Sequence, residues 1–428
     1  MKFGYLVPEF PGQTHTFFWR ELSALRELGM EPDVVSTRKP NSRIVAQRWA
    51  HEAETITTYL TPMAVTSAIK VAGVLIEAAR GGQLAKVRRD IVQTTRDVAT
   101  SAGWRAAVNS LVRESGLLVA AAELSYVASL RGWTHVHVHS CADSAQVALF
   151  AHRLTGLRYS LTLHGPLGDY GSNQPKKWEQ ADFSFVITHR LLEEVTEVLG
   201  RDVGVRTEVV PMGVDTDKFS RKGAYIPWDG SGPARLFSCG RLNKSKGHDD
   251  LVRAVALMTA QGLDVELVIA GEDEQGGSGY RKELEGLILE LDITDRVTLL
   301  GAVAEEQVLD YLQRAHVFAL ASHAEPLGVA IMEAMAMELP VVVTSGGGVV
   351  ELVENRCTGM LVEPGDPKGL AREILTILSQ PDLALSLGHR AKQRVTNSFT
   401  SRRGATALTR RLTGRTAPGP AYVDGVTR

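Results

Sequence analysis

The run Ala324-Glu325-Pro326-Leu327-Gly328-Val329-Ala330-Ile331-Met332-Glu333 places two carboxylates, with seven residues between them, across a junction between an apolar strand-like stretch and a helical pattern. Backbone N–H groups at a helix start have no intrahelical partner and can hold an anion. A loop carboxylate beside them, Glu325, can accept hydrogen bonds from sugar hydroxyls, with the backbone of Pro326, Leu327 and Gly328 close by. A carboxylate about one turn into the helix, Glu333, can accept a ribose hydroxyl pair. The same spacing also fits a glutamate favoured by the helix dipole and a second one in solvent, and the pattern alone leaves both readings open.

Elements that would position these groups alternate along almost the whole chain. Short apolar strands are expected at residues 3–7, 33–36, 136–139, 159–163, 183–187 and 208–210, with helical patterns at 15–28, 144–154 and 191–199. The second half repeats the plan, with strands at 236–239, 265–270, 297–300, 317–321, 341–344 and 360–362 and helices at 249–260, 280–291, 305–314 and 329–337. Continuous apolar runs such as Leu267-Val268-Ile269-Ala270 suit strands covered on both faces. Alternating βα units predict an α/β fold of doubly wound parallel sheets, whose ligands bind beyond the carboxyl ends of the strands.

A chain of 428 residues exceeds one ordinary core. Pro211, Gly213, Gly223, Pro227, Gly230, Gly232 and Pro233 mark a join. The expected division is residues 1–210 with a helical insertion at 63–130, a second domain at 211–395, and a segment 396–428 whose helix returns to the first domain before a frayed tail. A net charge of −2 argues against a dedicated nucleic-acid binder. Cys141, Cys239 and Cys357 lie far apart, which disfavours a disulfide framework or a cysteine zinc site. With no signal-peptide pattern at residues 1–8 and no apolar run of membrane-spanning length, the expected address is the cytoplasm. The basic stretches 86–113 and 390–415 read as solvated faces, or as attraction to the inner face of an anionic membrane carrying a lipid-linked acceptor.

The stretch from Glu325 to Thr344 resembles the signature of the retaining GT-B glycosyltransferases of family 4 (glycosyl transferases group 1). Further motifs agree in order. Pro211-Met212-Gly213-Val214-Asp215 with Phe219 resembles the family's post-linker motif. Gly240-Arg241-Leu242 with Lys246-Gly247 resembles its donor-diphosphate motif, and Gly359 with Leu361-Val362-Glu363-Pro364-Gly365-Asp366 its late strand-loop. The resemblance is close over residues 209–380 and loose before them. It implies two Rossmann-like domains facing a cleft, the acceptor on the N-terminal side and the nucleotide sugar on the C-terminal side. Arg241 and Lys246 also make sense unaided. They follow a buried strand, and a departing nucleoside diphosphate gains charge that two fixed cations can stabilise without a metal. A surface Lys/Arg pair in a loop is the plainer reading. His164, in Thr162-Leu163-His164-Gly165, resembles the family's cleft histidine, which contacts the donor sugar; a packed loop histidine is its alternative.

The first βα loop departs from the commonest family pattern, a Gly-Gly pair followed by Glu. Its Phe10-Pro11-Gly12-Gln13-Thr14-His15-Thr16-Phe17 looks more like the exopolysaccharide branch, including colanic-acid-type transferases, with His15 where that branch has Glu. Gly12 can let backbone approach the donor. Glu338 stands where the family usually has Gly. Two metal-like patterns weigh less: Asp215-Thr216-Asp217 sits in the post-linker motif, and His135, His137 and His139 share one strand face.

The resulting expectation is a metal-independent hexosyltransferase in exopolysaccharide or glycoconjugate biosynthesis. It would move a sugar from a UDP- or GDP-linked donor to a saccharide or lipid-linked acceptor, with the nucleotide sugar as co-substrate and no further cofactor. Arg241, Lys246, Glu325 and His164 would be catalytic; Gly12, Gly240, Pro326, Leu327, Gly328 and Glu333 would bind donor. The rivals are a sugar-nucleotide epimerase or phosphorylase on the same fold, and a non-catalytic sugar-nucleotide-binding subunit of a polysaccharide assembly complex.

Overall fold

Two all-parallel sheets carry the architecture in a computed structural model that describes residues 1–12, 15–40, 47–60, 67–273 and 279–414. The N-terminal half contains β1 (Lys2–Glu9), α1 (Thr16–Glu27), β2 (Glu31–Arg38), α2 (Ala50–Ile56), β3 (Thr58–Tyr59), α3 (Ala68–Arg80), α4 (Gln83–Arg131), β4 (His135–Val138), α5 (Asp143–Thr155), β5 (Arg158–Leu163), α6 (Gln174–Glu179), β6 (Ser184–Val186), α7 (His189–Leu199), α8 (Arg201–Val205) and β7 (Thr207–Val209). Its strand order is β3-β2-β1-β4-β5-β6-β7.

The second half contains β8 (Ala234–Cys239), α9 (His248–Ala260), β9 (Val265–Ala270), α10 (Tyr280–Glu290), β10 (Val297–Gly301), α11 (Glu305–Arg314), β11 (Val317–Leu320), α12 (Val329–Ala336), β12 (Val341–Thr344), α13 (Val349–Leu352), β13 (Met360–Val362), α14 (Pro367–Ser379), α15 (Pro381–Ser398) and α16 (Ser401–Thr413). The second sheet is ordered β10-β9-β8-β11-β12-β13. This is the GT-B architecture of two Rossmann-like domains. The expected strands are present to within two residues at each end; the two-residue β3 and the helix α2 carry no comparable apolar signal.

Both sheets are buried on both faces. Val136, Val138, Leu161, Leu163, Leu267, Ile269, Val341, Val342 and Val343 are almost wholly covered. Strand order reverses beside the first strand of each sheet, between β1 and β4 and between β8 and β11. Loops diverge at such reversals and leave a crevice beyond the strand ends. The two crevices face each other.

The chain crosses between the halves twice, and the crossings touch. Val214 accepts from Ser401 and donates to Phe399. A Cβ at Gly213 would lie 2.1 Å from the Thr400 backbone, so only glycine fits there. Beyond this contact α16 lies on α1, with Ala405 and Leu408 in one apolar cluster with Phe3, Tyr5, Phe18 and Leu22. The insertion is two long helical elements, α3 and α4, and α4 is interrupted at Gly103 (φ 83°, ψ 174°). Residues 63–66 of the insertion and the tail expected to fray, 416–428, lie outside the described residues. No helix among the described residues is long and apolar enough to cross a membrane.

Candidate functional site

A cavity of about 300 Å³ opens between the facing crevices. The loop after β8 supplies Gly240, Arg241 and Lys246; the loop after β11 supplies Glu325, Pro326 and Gly328; α12 adds Glu333. From the N-terminal half come Thr16, Phe17 and Arg20 on α1 and His164 just past β5. Residues far apart in sequence therefore share one cavity because both strand reversals point into it.

Glu325 is 9% exposed. Its carboxylate accepts from Lys246 Nζ and, at 3.2 Å, from the Ser322 hydroxyl. Gly347 and Gly348 pin the loop through backbone contacts to Glu325. The helix α12 that follows starts at Val329, so its unpaired first-turn N–H groups adjoin this carboxylate. Arg241 lies beside His15 of the first βα loop. Burial, then the Arg241 charge, hold the His15 imidazole down to about 4, so it is neutral at pH 7. A histidine where the exopolysaccharide branch has Glu thus brings no opposing charge to Arg241.

Glu333 is not open to solvent. Its carboxylate accepts from Arg20 of the other half at 2.6 Å, and the same Arg20 nitrogen donates to Glu305 at 2.9 Å. Lys218 reaches the other Glu305 oxygen at 3.1 Å. The Arg20 guanidinium also lies 4.7 Å over the ring of Phe219. Burial raises the Glu333 pKa, against the pull of Arg20. A ribose contact at Glu333 therefore has to be made beside or in place of Arg20.

His164 Nε2 lies 3.2 Å from His139 Nδ1, and His139 Nε2 lies 3.1 Å from Glu21, which accepts from Tyr5 at 2.5 Å. Burial holds both imidazoles down to about 3, so the His139–Glu21 contact is that of a neutral ring with a carboxyl group, not an ion pair, at neutral pH. The histidine row is tied within the sheet: His135 and His137 both contact the Ser160 hydroxyl, and His137 also contacts Thr162. Among the described residues no group of three His, Cys, Asp or Glu has metal-binding geometry. Asp215 caps its own turn, accepting from the backbone of Asp217 and Lys218 at 3.1 Å each.

Two of the expected donor residues do not line the cavity with their side-chain positions. Gly12 is not among the cavity-lining residues, and the space at its Cα is filled by the His15 ring. Leu327 is 1% exposed and its side chain packs into the core, which leaves only its backbone to serve the donor contact expected of it. Gln13 and Thr14 of that loop lie outside the described residues.

Arg20 and Glu305 line the cavity without any motif to announce them. The signal for Arg20 was a charge inside the covered face of an amphipathic helix, where Phe17, Arg20 and Ala24 follow one another at three and four residues. Glu305, at the first position of α11, reads from sequence as a dipole-favoured helix start.

Residues 230–394 match the family described as glycosyl transferases group 1. The chain is 28% identical over 296 residues to the N-acetyl-alpha-D-glucosaminyl L-malate synthase of Bacillus anthracis, covering 66% of this chain and 75% of the relative. It is 30% identical over 162 residues to the capsular polysaccharide biosynthesis glycosyltransferase CapM of Staphylococcus aureus, covering 38% and 41% of the two chains, so it spans well under half of that relative. In fold it is similar to Anabaena HepE in complex with UDP-glucose, with a TM-score of 0.71 at 17% identity over 97% of this chain and all of that one. The likeness to glycosyl transferases group 1 thus rests on residues 230–394 and on partial relatives, and the likeness to the solved structure is one of fold.

Proposed function

We propose that this chain, with its glycosyl transferases group 1 region at residues 230–394, transfers a hexose or related sugar from a UDP- or GDP-linked donor with retention of anomeric configuration, as in family 4. The acceptor is a saccharide or lipid-linked saccharide in exopolysaccharide or glycoconjugate assembly. The observation that carries the reading is the meeting of Lys246, Arg241 and Glu325 in the crevice at the β8/β11 reversal, opposite His164.

Cleavage of the glycosidic bond leaves a nucleoside diphosphate with extra negative charge. Lys246 and Arg241 sit where strand ends converge and can stabilise it in a low-dielectric cleft with no reorganisation. Glu325 is held beside Lys246 and orients the sugar through its hydroxyls, with backbone of Pro326 and Gly328 at hand. Glu333 takes the ribose and His164 lines the sugar site. The acceptor's proton passes to the donor phosphate on the face from which the leaving group departs. HepE was solved with UDP-glucose, and CapM acts in capsular polysaccharide biosynthesis; both agree with a nucleotide-sugar donor and a polysaccharide role.

Turnover measured over a panel of nucleotide sugars, with and without excess chelator, tests this. Transfer that persists in chelator is expected. Complete loss restored by manganese or magnesium would overturn metal independence, and absence of turnover with tight nucleotide-sugar binding would favour the non-catalytic subunit.

A further inference from the structure

His164 ties one ring nitrogen to the protein and leaves the other without a partner. Its Nε2 meets His139 Nδ1 at 3.2 Å, while its Nδ1 is buried with no hydrogen-bond partner among the described residues. The ring lines the large cavity. A Cβ at the next residue, Gly165, would lie 3.8 Å from Pro326 Cγ, so this turn faces the Glu325–Pro326 loop across the cleft. Any hydrogen bond from the His164 ring to a bound molecule is therefore made at Nδ1. A neutral imidazole holds one proton, and the partner of one nitrogen decides what the other presents.

That decision is made behind the ring. Tyr5 on β1 and His139, just past β4, converge on a single oxygen of Glu21 on α1. The Tyr5 hydroxyl lies 2.5 Å from Oε2, and His139 Nε2 lies 3.1 Å from the same atom. Burial, then the Glu21 charge, lift the Tyr5 pKa well above its ordinary value, so the hydroxyl keeps its proton and donates it. The other carboxylate oxygen is turned to Gly404 of α16, where a Cβ would come within 3.1 Å of it. An Oε2 that accepts from Tyr5 also accepts from His139. This places the His139 proton on Nε2 and leaves its Nδ1 as an acceptor, so His164 donates from Nε2 and its Nδ1 is a lone pair. Burial of Glu21 favours the reversed line, with a carboxyl proton pointing at His139, and the Tyr5 hydrogen bond opposes it.

We propose that Tyr5, Glu21 and His139 are positioning residues that fix His164 as its Nε2–H tautomer, so that Nδ1 accepts a hydrogen bond from a hydroxyl of the donor sugar. The proposal deepens the proposed function and rests on its assignment of His164 to the sugar site. None of the three residues lines the large cavity, so each acts on the sugar only through His164.

Long-range proton–nitrogen NMR of the full chain, labelled at the histidine nitrogens, reads the tautomers directly, and His164→Asn assigns the signal. In the wild type at neutral pH, His164 and His139 should both be protonated on Nε2. Tyr5→Phe with Glu21→Met removes two polar partners together, which limits the cost to folding. In that variant His164 should lose its single tautomer and kcat should fall roughly tenfold, the scale of one hydrogen bond, while nucleoside diphosphate binding is retained. Glu21→Gln can keep an acceptor oxygen at the Oε2 position, with its amide nitrogen at the Oε1 position. It should therefore retain the tautomer and most of kcat, which separates hydrogen bonding from charge. An Nδ1–H signal or a tautomer mixture for His164 in the wild type would overturn the proposal, and this reading does not depend on whether the variants fold. A double variant with unchanged tautomer and kcat would also overturn it. The expected tautomers in a chain that transfers no sugar over the donor panel would support the hydrogen-bonded line and count against the proposed function alone.

Discussion

Arg20 of the N-terminal half donates to Glu333 of the C-terminal half at 2.6 Å, across the cleft and almost out of solvent. The same guanidinium donates to Glu305 at 2.9 Å, and Glu351 adds a further cross-domain contact, accepting from the backbone of His189 and Arg190 at the start of α7 at 2.7 and 2.9 Å. Glu305, Glu333 and Glu351 thus tie the halves together, and Glu333 is the group proposed to take the donor's ribose.

On the proposed function, a ribose that takes Glu333 in place of Arg20 must break this contact. Arg20→Met should therefore tighten nucleoside diphosphate binding, by about tenfold if one charge-assisted bond is no longer displaced, which corresponds to ~1.4 kcal/mol. The ligand-free protein should also open, since Arg20 no longer bridges to Glu333 and Glu305. Calorimetric titration and small-angle scattering read the two effects. Weaker nucleotide binding with an unchanged radius would mean Arg20 itself grips the ligand.

Arg241→Ala and Lys246→Ala should each lower turnover by roughly a hundredfold or more, the scale of losing one charge-stabilising donor. Lys246→Ala has a second consequence: it strips Glu325 of its cation, so it should also raise the donor KM. Near-normal rates in both variants would remove the diphosphate assignment.

How much of this was legible in sequence depended on whether a local pattern encoded it. Arg241, Lys246 and Glu325 follow strands whose apolar runs are unmistakable, so strand, loop and helix order placed them in loops beyond strand ends; that these loops meet at one strand reversal follows from the sheet order. The Arg20–Glu333 pair spans 313 residues and depends on how two domains face each other. No periodicity records that. The same holds for His139, which alternation placed on a strand face but which only the adjacent strand β5 brings to His164. For Gly12 the sequence suggests backbone approach to a ligand; that the His15 ring fills the space at its Cα is a contact no local pattern records.

Glu325 and Glu333 should separate kinetically. Glu325 touches Lys246 and adjoins the sugar end, so Glu325→Gln should lower kcat strongly while free nucleoside diphosphate still binds. Glu333→Gln should weaken donor and nucleoside diphosphate together, on the scale of a charge-assisted hydrogen bond, about 1.5–3 kcal/mol. Reversed behaviour would exchange the two roles, and two silent variants would favour the non-catalytic subunit.

Stability should fall on mild acidification. His139 and His164 are held to about 3, and His15 and His248 to about 4, all chiefly by burial. Unfolded, each would bind a proton near the ordinary histidine value of about 6.5. Between roughly pH 6.5 and 4 the unfolded state therefore binds more protons, so stability is full above that window and is lost as pH falls through it. Thermal melts at pH 7.5, 6, 5 and 4.5 check the sign, and a Tm that is flat or rises on acidification would contradict neutral buried histidines. His139→Asn with His164→Asn should flatten the slope if the double variant folds; His248→Gln gives an independent second test.

Glu338 stands where the resembled family usually has glycine. After α12 the chain closes with Glu338 N–H donating to Met335 O and Leu339 N–H to Ala334 O, the paired bonds of a helix C-terminal stop. That motif puts the residue after the cap in the left-handed region, and Glu338 has φ +56°. A side chain there costs about 1 kcal/mol relative to glycine. Part of this is offset by Lys392 Nζ, which donates to Glu338 at 2.6 Å and joins α15 to the turn. The pair is partly exposed, at 38% and 28% for the two side chains, so it contributes little. Glu338→Gly should therefore stabilise the protein by up to about 1 kcal/mol, and Glu338→Ala, which loses the ion pair and keeps the strained φ, should destabilise it. Urea unfolding of the two variants reads both signs. If Glu338→Gly is the less stable variant, the Lys392 contact outweighs the backbone strain, and the glutamate is there to fasten α15 to the helix that carries Glu333.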